Sequence, residues 1–445
     1  MQKLQVVEGV SLRRDGDDLV IIGGGDEQRL RLGQEAAHRL ARFNGQPVGL
    51  DELSLGLLTV ANGMQILATL TSTIRSLVEA GYVTPVMELD GQIIAKLCKK
   101  GYLPWQEGSA PEGAVVSPLV MATHDHGWVV LDSGLGCGLV RMLPAFAGPV
   151  LAGEELGPGE RLAPLRELLW KAGLLVLPEA ATSMEQTMWN PAELLMMQRS
   201  NDSAANVAYG ATYRYVDTRS PLPLVEPVDA ETVVELPVPA PERWAQEDEP
   251  FGVVTERRRS VSSFSTEKAP TLRQLAGVLH RAARFQQRFV DDKGTEVARR
   301  PAAAGGALHE LDLYLAVDRL DGLDAGLWRF NPAENVLERV NCQKDPAALV
   351  KAATASVWSK ATPPVTVILV ARFGRVMWKY EGVGGALVLK NAGVMLHALQ
   401  LAAVAEGLGA CALGGNSARV FEEVTGLGLP SHGPVGQLVL GVEQG

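Results

Sequence analysis

Four short stretches carry residue types able to do chemistry. Arg257-Arg258-Arg259-Ser260 puts three guanidinium groups and a hydroxyl on consecutive residues. An anion relieves the repulsion among such charges, and arginine forks match phosphate oxygens two bonds at a time. Ala304, Gly305 and Gly306 stand ahead of the apolar run LDLYLAV and are small enough for a flat ligand to lie against the backbone. Trp378-Lys379-Tyr380 comes shortly after the run VTVILVARF. A lysine partly desolvated between aromatic rings has a lowered pKa and suits base work. Leu413, Gly414 and Gly415 close the run GACALGG, where paired glycines bring backbone N–H groups against a ring. Taken singly, each stretch also reads as ordinary structure: a solvated charge run, a plain loop, a surface lysine beside a packed tyrosine, and a turn.

The elements that must position these residues are legible in the back part of the chain. Thr271 and Gln274 form a capping-box pattern at the head of TLRQLAGVLHRAARF, whose Leu272, Leu275, Val278, Leu279, Ala282 and Phe285 share one helical face. LDLYLAV and PPVTVILVARF read as strands. Residues 386–405 form a helix that is apolar nearly all round, and Lys390, Asn391 and His397 within it argue for a buried helix rather than a membrane span. Strands and helices in this order predict an α+β domain over 251–445. Before it, the segment 216–250 holds seven prolines and predicts a semi-rigid linker, placed at 201–250.

The front part reads as a degenerate duplication. IRSLVEAGYVTP near residue 75 matches LRELLWKAGLLVLP near residue 166, aligning Gly81 with Gly173 at an offset of 92 residues. In both places a helical pattern ends at Ala-Gly, as a left-handed helix cap requires. DDLVII runs into the turn-like GGGD, VMELDGQIIAKL is a hairpin turning at Asp90-Gly91, and HDHG joins two further strands. The pattern predicts tandem winged helix-turn-helix modules at 1–95 and 96–200.

Composition narrows the function classes. The 445 residues are 47% hydrophobic and 21% charged, which excludes disorder as the main state. Residues 1–250 hold 19 Lys and Arg against 33 Asp and Glu, whereas 251–445 hold 22 against 18. An acidic front part disfavours nucleic acid, and the third predicted helix has Arg75 as its only basic residue. Strand addition by a peptide suits such modules better. The cysteines (Cys98, Cys137, Cys342, Cys411) are scattered and the first residues do not read as a signal peptide, so the cytoplasm is expected. Three other signals read as structure: His124-Asp125-His126 as a turn, Gly134–Gly138 as a turn rather than a dinucleotide loop, and Cys411 and His397 as core residues.

Together the four stretches resemble the nitroreductase-like flavoproteins, and within them the SagB-type dehydrogenases that oxidise azolines during thiazole/oxazole-modified peptide biosynthesis. RRRSVSSF, AAAGGALHELDLYL, ARFGRVMWKYEGVGGALVLKNAGVML and LAAVAEGLGACALGG carry the likeness over 251–445, and LLMMQRSNDSAANVAYGATYRYVD is a fainter echo before the linker. The resemblance implies a C-terminal flavin domain behind peptide-clamp-like modules. It implies FMN held by Arg257, Arg258, Arg259 and Ser260, with Leu413, Gly414 and Gly415 presenting amides to the flavin edge. It also implies that Ala304, Gly305 and Gly306 cover the flavin of the other subunit of a homodimer. Lys379 and Tyr380 correspond to the pair implicated in azoline oxidation. The implied partners are a precursor peptide and a cyclodehydratase. Three positions depart from the pattern: Ser262 replaces a basic residue, Ala304 replaces a serine, and GQLVLGVEQG lacks a basic residue near the end. A generic FMN nitro- or quinone reductase using NAD(P)H, and a flavin-poor scaffold, are the alternatives.

Overall fold

The computed structural model describes residues 2–23, 26–44, 46–99, 105–152, 162–201, 208–237, 244, 246–357, 362–415 and 418–444. Gly24 and Gly25 of the expected GGGD turn, 202–207 of the echo segment and 238–243 of the expected linker lie outside the described residues. The chain divides into two units, Met1–Tyr209 and Gly210–Gly445.

Unit 1 runs through one topological pattern twice. The first pass is β1 (Gln2–Val6), the meander β2 (Ser11–Asp15), β3 (Asp18–Gly23) and β4 (Asp26–Arg31), then α1 (Gln34–Leu40), α2 (Leu50–Ser54), α3 (Gly63–Glu79) and β5 (Val83–Leu89). After β6 (Gln92–Lys99) comes the second: β7 (Val115–Val116), the meander β8 (Val120–Asp125), β9 (Trp128–Ser133) and β10 (Gly138–Met142), α4 (Pro144–Leu151), α5 (Ala163–Lys171) and β11 (Leu175–Val176). In each pass the first strand pairs antiparallel with the last. The Ala-Gly caps are equivalent bond for bond. Gly81 and Tyr82 donate to Val78 and Leu77, and Gly173 and Leu174 donate to Trp170 and Leu169, all offset by 92 residues. Both glycines have positive φ, 78° and 72°, which spares the Cβ clash an L-residue would meet.

Helices α1–α3 run into the β5–β6 hairpin, turned by Asp90 and Gly91 with φ of 50° and 82°. After α5 the chain instead passes through β11 to the short helices α6 (Pro178–Ala181) and α7 (Met184–Thr187) and then α8 (Pro191–Asn201). The expected division at residue 95 falls inside β6, because β6 is bonded on both sides. A single six-stranded sheet, β1-β5-β6-β10-β9-β8, therefore runs through both halves.

Unit 2 begins with β12 (Gly210–Ala211) and β13 (Val233–Glu235), followed by α9 (Phe251–Arg257), α10 (Leu272–Ala283), and the hairpin β14 (Gln287–Val290) and β15 (Glu296–Arg299). Then come β16 (Leu311–Val317), β17 (Gly326–Asn331), β18 (Val336–Arg339), α11 (Ala347–Ser356), β19 (Val365–Arg372), α12 (Phe373–Lys379) and β20 (Tyr380–Glu381). The chain ends with α13 (Gly384–Ala405), β21 (Gly409–Leu413), α14 (Ala418–Thr425) and β22 (His432–Gly441).

Seven strands form one antiparallel sheet in the order β13-β18-β17-β16-β19-β22-β21. Alternate residues of its central strands face two different cores. Leu313, Leu315, Val367 and Leu369 join the core that includes α10 and α13, while Tyr314, Ala316, Ile368 and Val370 join the one that includes α11 and α14. Thr271 and Gln274 cap α10 reciprocally at 3.2 and 3.0 Å.

Two expectations change here. The proline-rich segment is not a free connector between units: 210–237 is built into unit 2, where it supplies β12 and the edge strand β13. His397 is exposed rather than in the core, on the side of α13 that also shows Leu389 and Val394, while Ala386, Val388, Asn391, Met395 and Leu399 face inward. By length and composition α13 is long and apolar enough to cross a membrane, but its inward face is part of the unit 2 core.

Candidate active site

Two clusters hold the residues singled out from the sequence. The first forms where α9 ends at Arg257 and the chain turns to run beside β21. Val261 and Phe264 are buried, and Val261 N–H donates to the Ala410 carbonyl at 3.0 Å. Ser260 makes a parallel bridge to Ala410. Gly409 permits the close approach, since a Cβ there would lie 2.6 Å from Val261. The arginine run and the strand leading to Leu413, Gly414 and Gly415 are thus brought together. A Cβ at Gly414 or Gly415 would meet nothing within 4 Å, so this backbone borders open space.

The three arginines differ in their partners. Arg257 pairs with Glu249 and Arg259 with Glu443, both at 2.5 Å. Arg258 is half-buried and has no carboxylate partner among the described residues. It and the Ser260 hydroxyl are the groups left to meet an anion.

The second cluster surrounds Lys379. Arg372, Arg375 and Trp378 recur every three residues and present one face to the segment 219–224. Arg372 donates to the carbonyls of Pro223 and Leu224, Arg375 to those of Leu222, Glu296 and Leu308, and Trp378 Nε1 to that of Arg219. Leu224 N–H in turn donates to Glu296 at 2.8 Å. Burial draws the Arg375 guanidinium down to about 10. With this segment fastened, β12 pairs with β20 and Tyr213 comes beside Lys379.

Lys379 Nζ lies 5.3 Å from the centre of the Tyr213 ring, 5.6 Å from that of Tyr380 and 3.8 Å from Asp291 Oδ2. Asp291 Oδ1 accepts from the N–H groups of Lys293 and Thr295, leaving buried Oδ2 with no hydrogen-bond partner, turned to the ammonium. Burial works to lower the lysine pKa, but a hydrogen bond with Tyr213 and the charges of Tyr380, Tyr213 and Asp291 outweigh it and hold the value above the ordinary one. This corrects the expected lowered pKa. Lys379 is an ammonium at neutral pH, and two of the groups that hold it so, Tyr213 and Asp291, come from distant parts of the chain.

Tyr380 connects this cluster to the small-residue loop. Ala304 is extended, and Gly305 and Gly306 open a short 3-10 turn. Gly306 has φ 62°, and a Cβ on it would collide with the Tyr380 hydroxyl. Gly305 N–H donates to Asn391 Oδ1 at 3.0 Å, and Asn391 Nδ2 donates to Glu310 at 2.9 Å. Burial raises the Glu310 pKa against that hydrogen bond. His309, at φ 49°, bonds the Ala298 carbonyl at 2.8 Å; burial and the charge of Arg300 draw it down to about 3.

Sequence reasoning misses Asp291, Tyr213 and the Glu310–Asn391 pair as site residues. A lone asparagine in an apolar helix is the one signal that pointed to Asn391. No hydrogen bond, ion pair or ring contact among the described residues joins the arginine cluster to the lysine cluster.

An antiparallel sheet covered by helices on both faces, with a glycine-flanked loop and a lysine–tyrosine pair at its margin, defines an α+β domain of the nitroreductase fold. Residues 255–442 match the model of the Nitroreductase family, so this part of the chain is a nitroreductase-family domain. A putative nitroreductase from Ralstonia eutropha is similar at 22% identity and a TM-score of 0.39, over 51% of this chain and 97% of that one. One from Anabaena variabilis is similar at 16% identity and a TM-score of 0.39, over 55% and 45%. A microcin synthetase complex from E. coli, McbBCD with truncated pro-MccB17 bound, is similar at 18% identity and a TM-score of 0.36, over 54% and 89%. No curated protein matches the chain.

Proposed function

We propose that the chain is an FMN-dependent dehydrogenase that oxidises thiazolines and oxazolines to thiazoles and oxazoles in a ribosomally made peptide. The observation that carries this reading is the ammonium of Lys379 set beside Tyr380, which in turn packs on the small-residue loop. Arg258, Ser260 and the open backbone at Gly414 and Gly415 fit a phosphorylated flat ring. Bound there, FMN would supply the two-electron acceptor that aromatisation needs. Tyr380, held as a phenolate by the Lys379 ammonium, takes the proton from the azoline ring carbon and becomes a phenol. Asp291 keeps the ammonium in place, and Tyr213 closes its other side.

Each copy holds only part of this site. The pocket at Arg257, Arg259 and Glu443 is about 80 Å³, below the roughly 300 Å³ at which ligand pockets begin. A homodimer that sets the loop of one copy over the arginine cluster of the other completes it, and the exposed Leu389 and Val394 of α13 suit that contact. A precursor peptide and a cyclodehydratase are the cytoplasmic partners, with the acidic unit 1 as a peptide-binding region.

Incubation with an azoline-bearing peptide tests the reading, through loss of two hydrogens per ring by mass spectrometry. Lys379→Met should retain FMN and lose activity by about 10²-fold or more. Turnover of NAD(P)H with no mass change in the peptide would establish the generic reductase instead. One observation favours the scaffold reading: Glu249 and Glu443 neutralise two of the three arginines. A colourless protein that refuses FMN would decide for it.

A further inference from the structure

The β14–β15 hairpin is a two-stranded sheet, and β14 has no partner on its outer edge among the described residues. Antiparallel pairing leaves every second residue of such an edge with its N–H and C=O turned outward. All four residues of β14 are exposed, Phe289 at 47% and Val290 at 64%. A groove of about 420 Å³ lies against Arg288, Phe289 and Val290. The cavity touches these three consecutive residues of β14 and also Glu296, the β15 partner of Val290, so it borders the length of β14 and reaches the turn end of the hairpin.

The opposite wall is Pro223, Leu224 and Val225. It has little hydrogen-bonding capacity to offer β14. Pro223 lacks an N–H, its carbonyl and that of Leu224 accept from Arg372, and Leu224 N–H is bonded to Glu296. The groove therefore combines an apolar wall with an open strand edge. Its far end is chemically marked, since Asp291, the residue after β14, lies 3.8 Å from Lys379 Nζ.

We propose that this groove binds an extended peptide as a strand added to β14, so that the residue beyond the strand arrives at Lys379. The inference rests on the azoline-oxidation reading and gives its substrate a form: an azoline ring adjoining about four extended residues, the length of β14 at about 3.4 Å per residue. It places peptide contact on unit 2, apart from any binding by unit 1.

The test is fluorescence anisotropy of the full chain with a fluorescein-labelled hexapeptide, Gly-Val-Thr-Val-Thr-Gly, which carries no azoline. Saturable binding is expected, weakened at least tenfold by Val290→Pro and by Phe289→Glu. The same hexapeptide N-methylated at its four central residues should not bind to the unaltered protein, a control independent of how the variants fold. Absence of binding, equal binding by both variants, or equal binding of the methylated peptide would each overturn the groove. Binding that follows the expected pattern in a protein that oxidises no azoline would overturn the functional reading and leave the groove standing.

Discussion

Unit 1 and unit 2 bury different things. In unit 1 the two cores are apolar, Leu12, Leu19, Leu40 and Phe43 in one and Leu97, Leu131, Val140 and Leu168 in the other, and among the described residues the buried charges are Lys99 and Asp132. Among its described residues the shifted ionisable groups are the surface residues Arg29 and Asp125, apart from Cys98, whose thiol is pushed up by burial. In unit 2, Arg300, His309, Glu310, Arg372 and Arg375 all lie inside. The difference follows from backbone geometry. Unit 1 satisfies its interior peptide groups with strand ladders and helices. Unit 2 brings an irregular proline-rich segment and a loop with positive φ against its core, and their carbonyls have no ladder to join. An arginine fork, with five donors, meets several such carbonyls at once. Buried charge is placed where irregular backbone must keep one conformation, and that is also where the candidate site stands.

Four measurements would break or sharpen this contrast. Arg375→Met strands three carbonyls, one buried and two part-buried, and should cost unit 2 about 3 kcal/mol, seen as a lower denaturation midpoint and new cleavage near Arg219. Arg29→Met, an exposed pair in unit 1, should leave the midpoint unchanged; equal effects would erase the distinction. The second measurement is stability against pH. The His309 imidazole binds its proton near pH 3 when folded and near 6.5 when unfolded, so the unfolded state holds the extra proton in between. Stability should fall by up to about 1.4 kcal/mol per pH unit as pH drops through that window, and His309→Asn should flatten the slope.

Gly306→Ala should rank third. Strain at φ 62° and displacement of Tyr380 predict a loss of about 1 kcal/mol in a urea melt and at least tenfold slower azoline oxidation. Gly385→Ala, in open space on α13, should do neither. Smallest is Glu443→Gln. Releasing Arg259 from an exposed pair should tighten FMN binding by about two- to fivefold in a fluorescence titration, and more weakly at high salt.

Local chemistry was the legible part. The cap of α10 follows from Thr271 and Gln274, the hairpin turn from Asp90-Gly91, and the repeated helix ends from two Ala-Gly pairs. Each needs only residues within a few positions of one another. The boundary at residue 95 was not legible, because nothing in the local pattern of β6 announces a second pairing partner. Nor was the fate of the prolines. They predict an extended segment; among its described residues Val233–Glu235 is a strand, and the anchorage of 219–224 depends on Arg372 and Arg375.

The order of elements, the two-faced apolar pattern of β16 and β19 and the residue types of the candidate site were determined by the sequence, since periodicity and side-chain chemistry act at short range. Tertiary structure alone decided that Lys379 remains charged, that Tyr213 and Asp291 flank it, and that the proline segment becomes a wall. Arg375 and Leu222 are 153 residues apart in the chain. An electrostatic environment is a sum over neighbours in space, and folding is what chooses those neighbours.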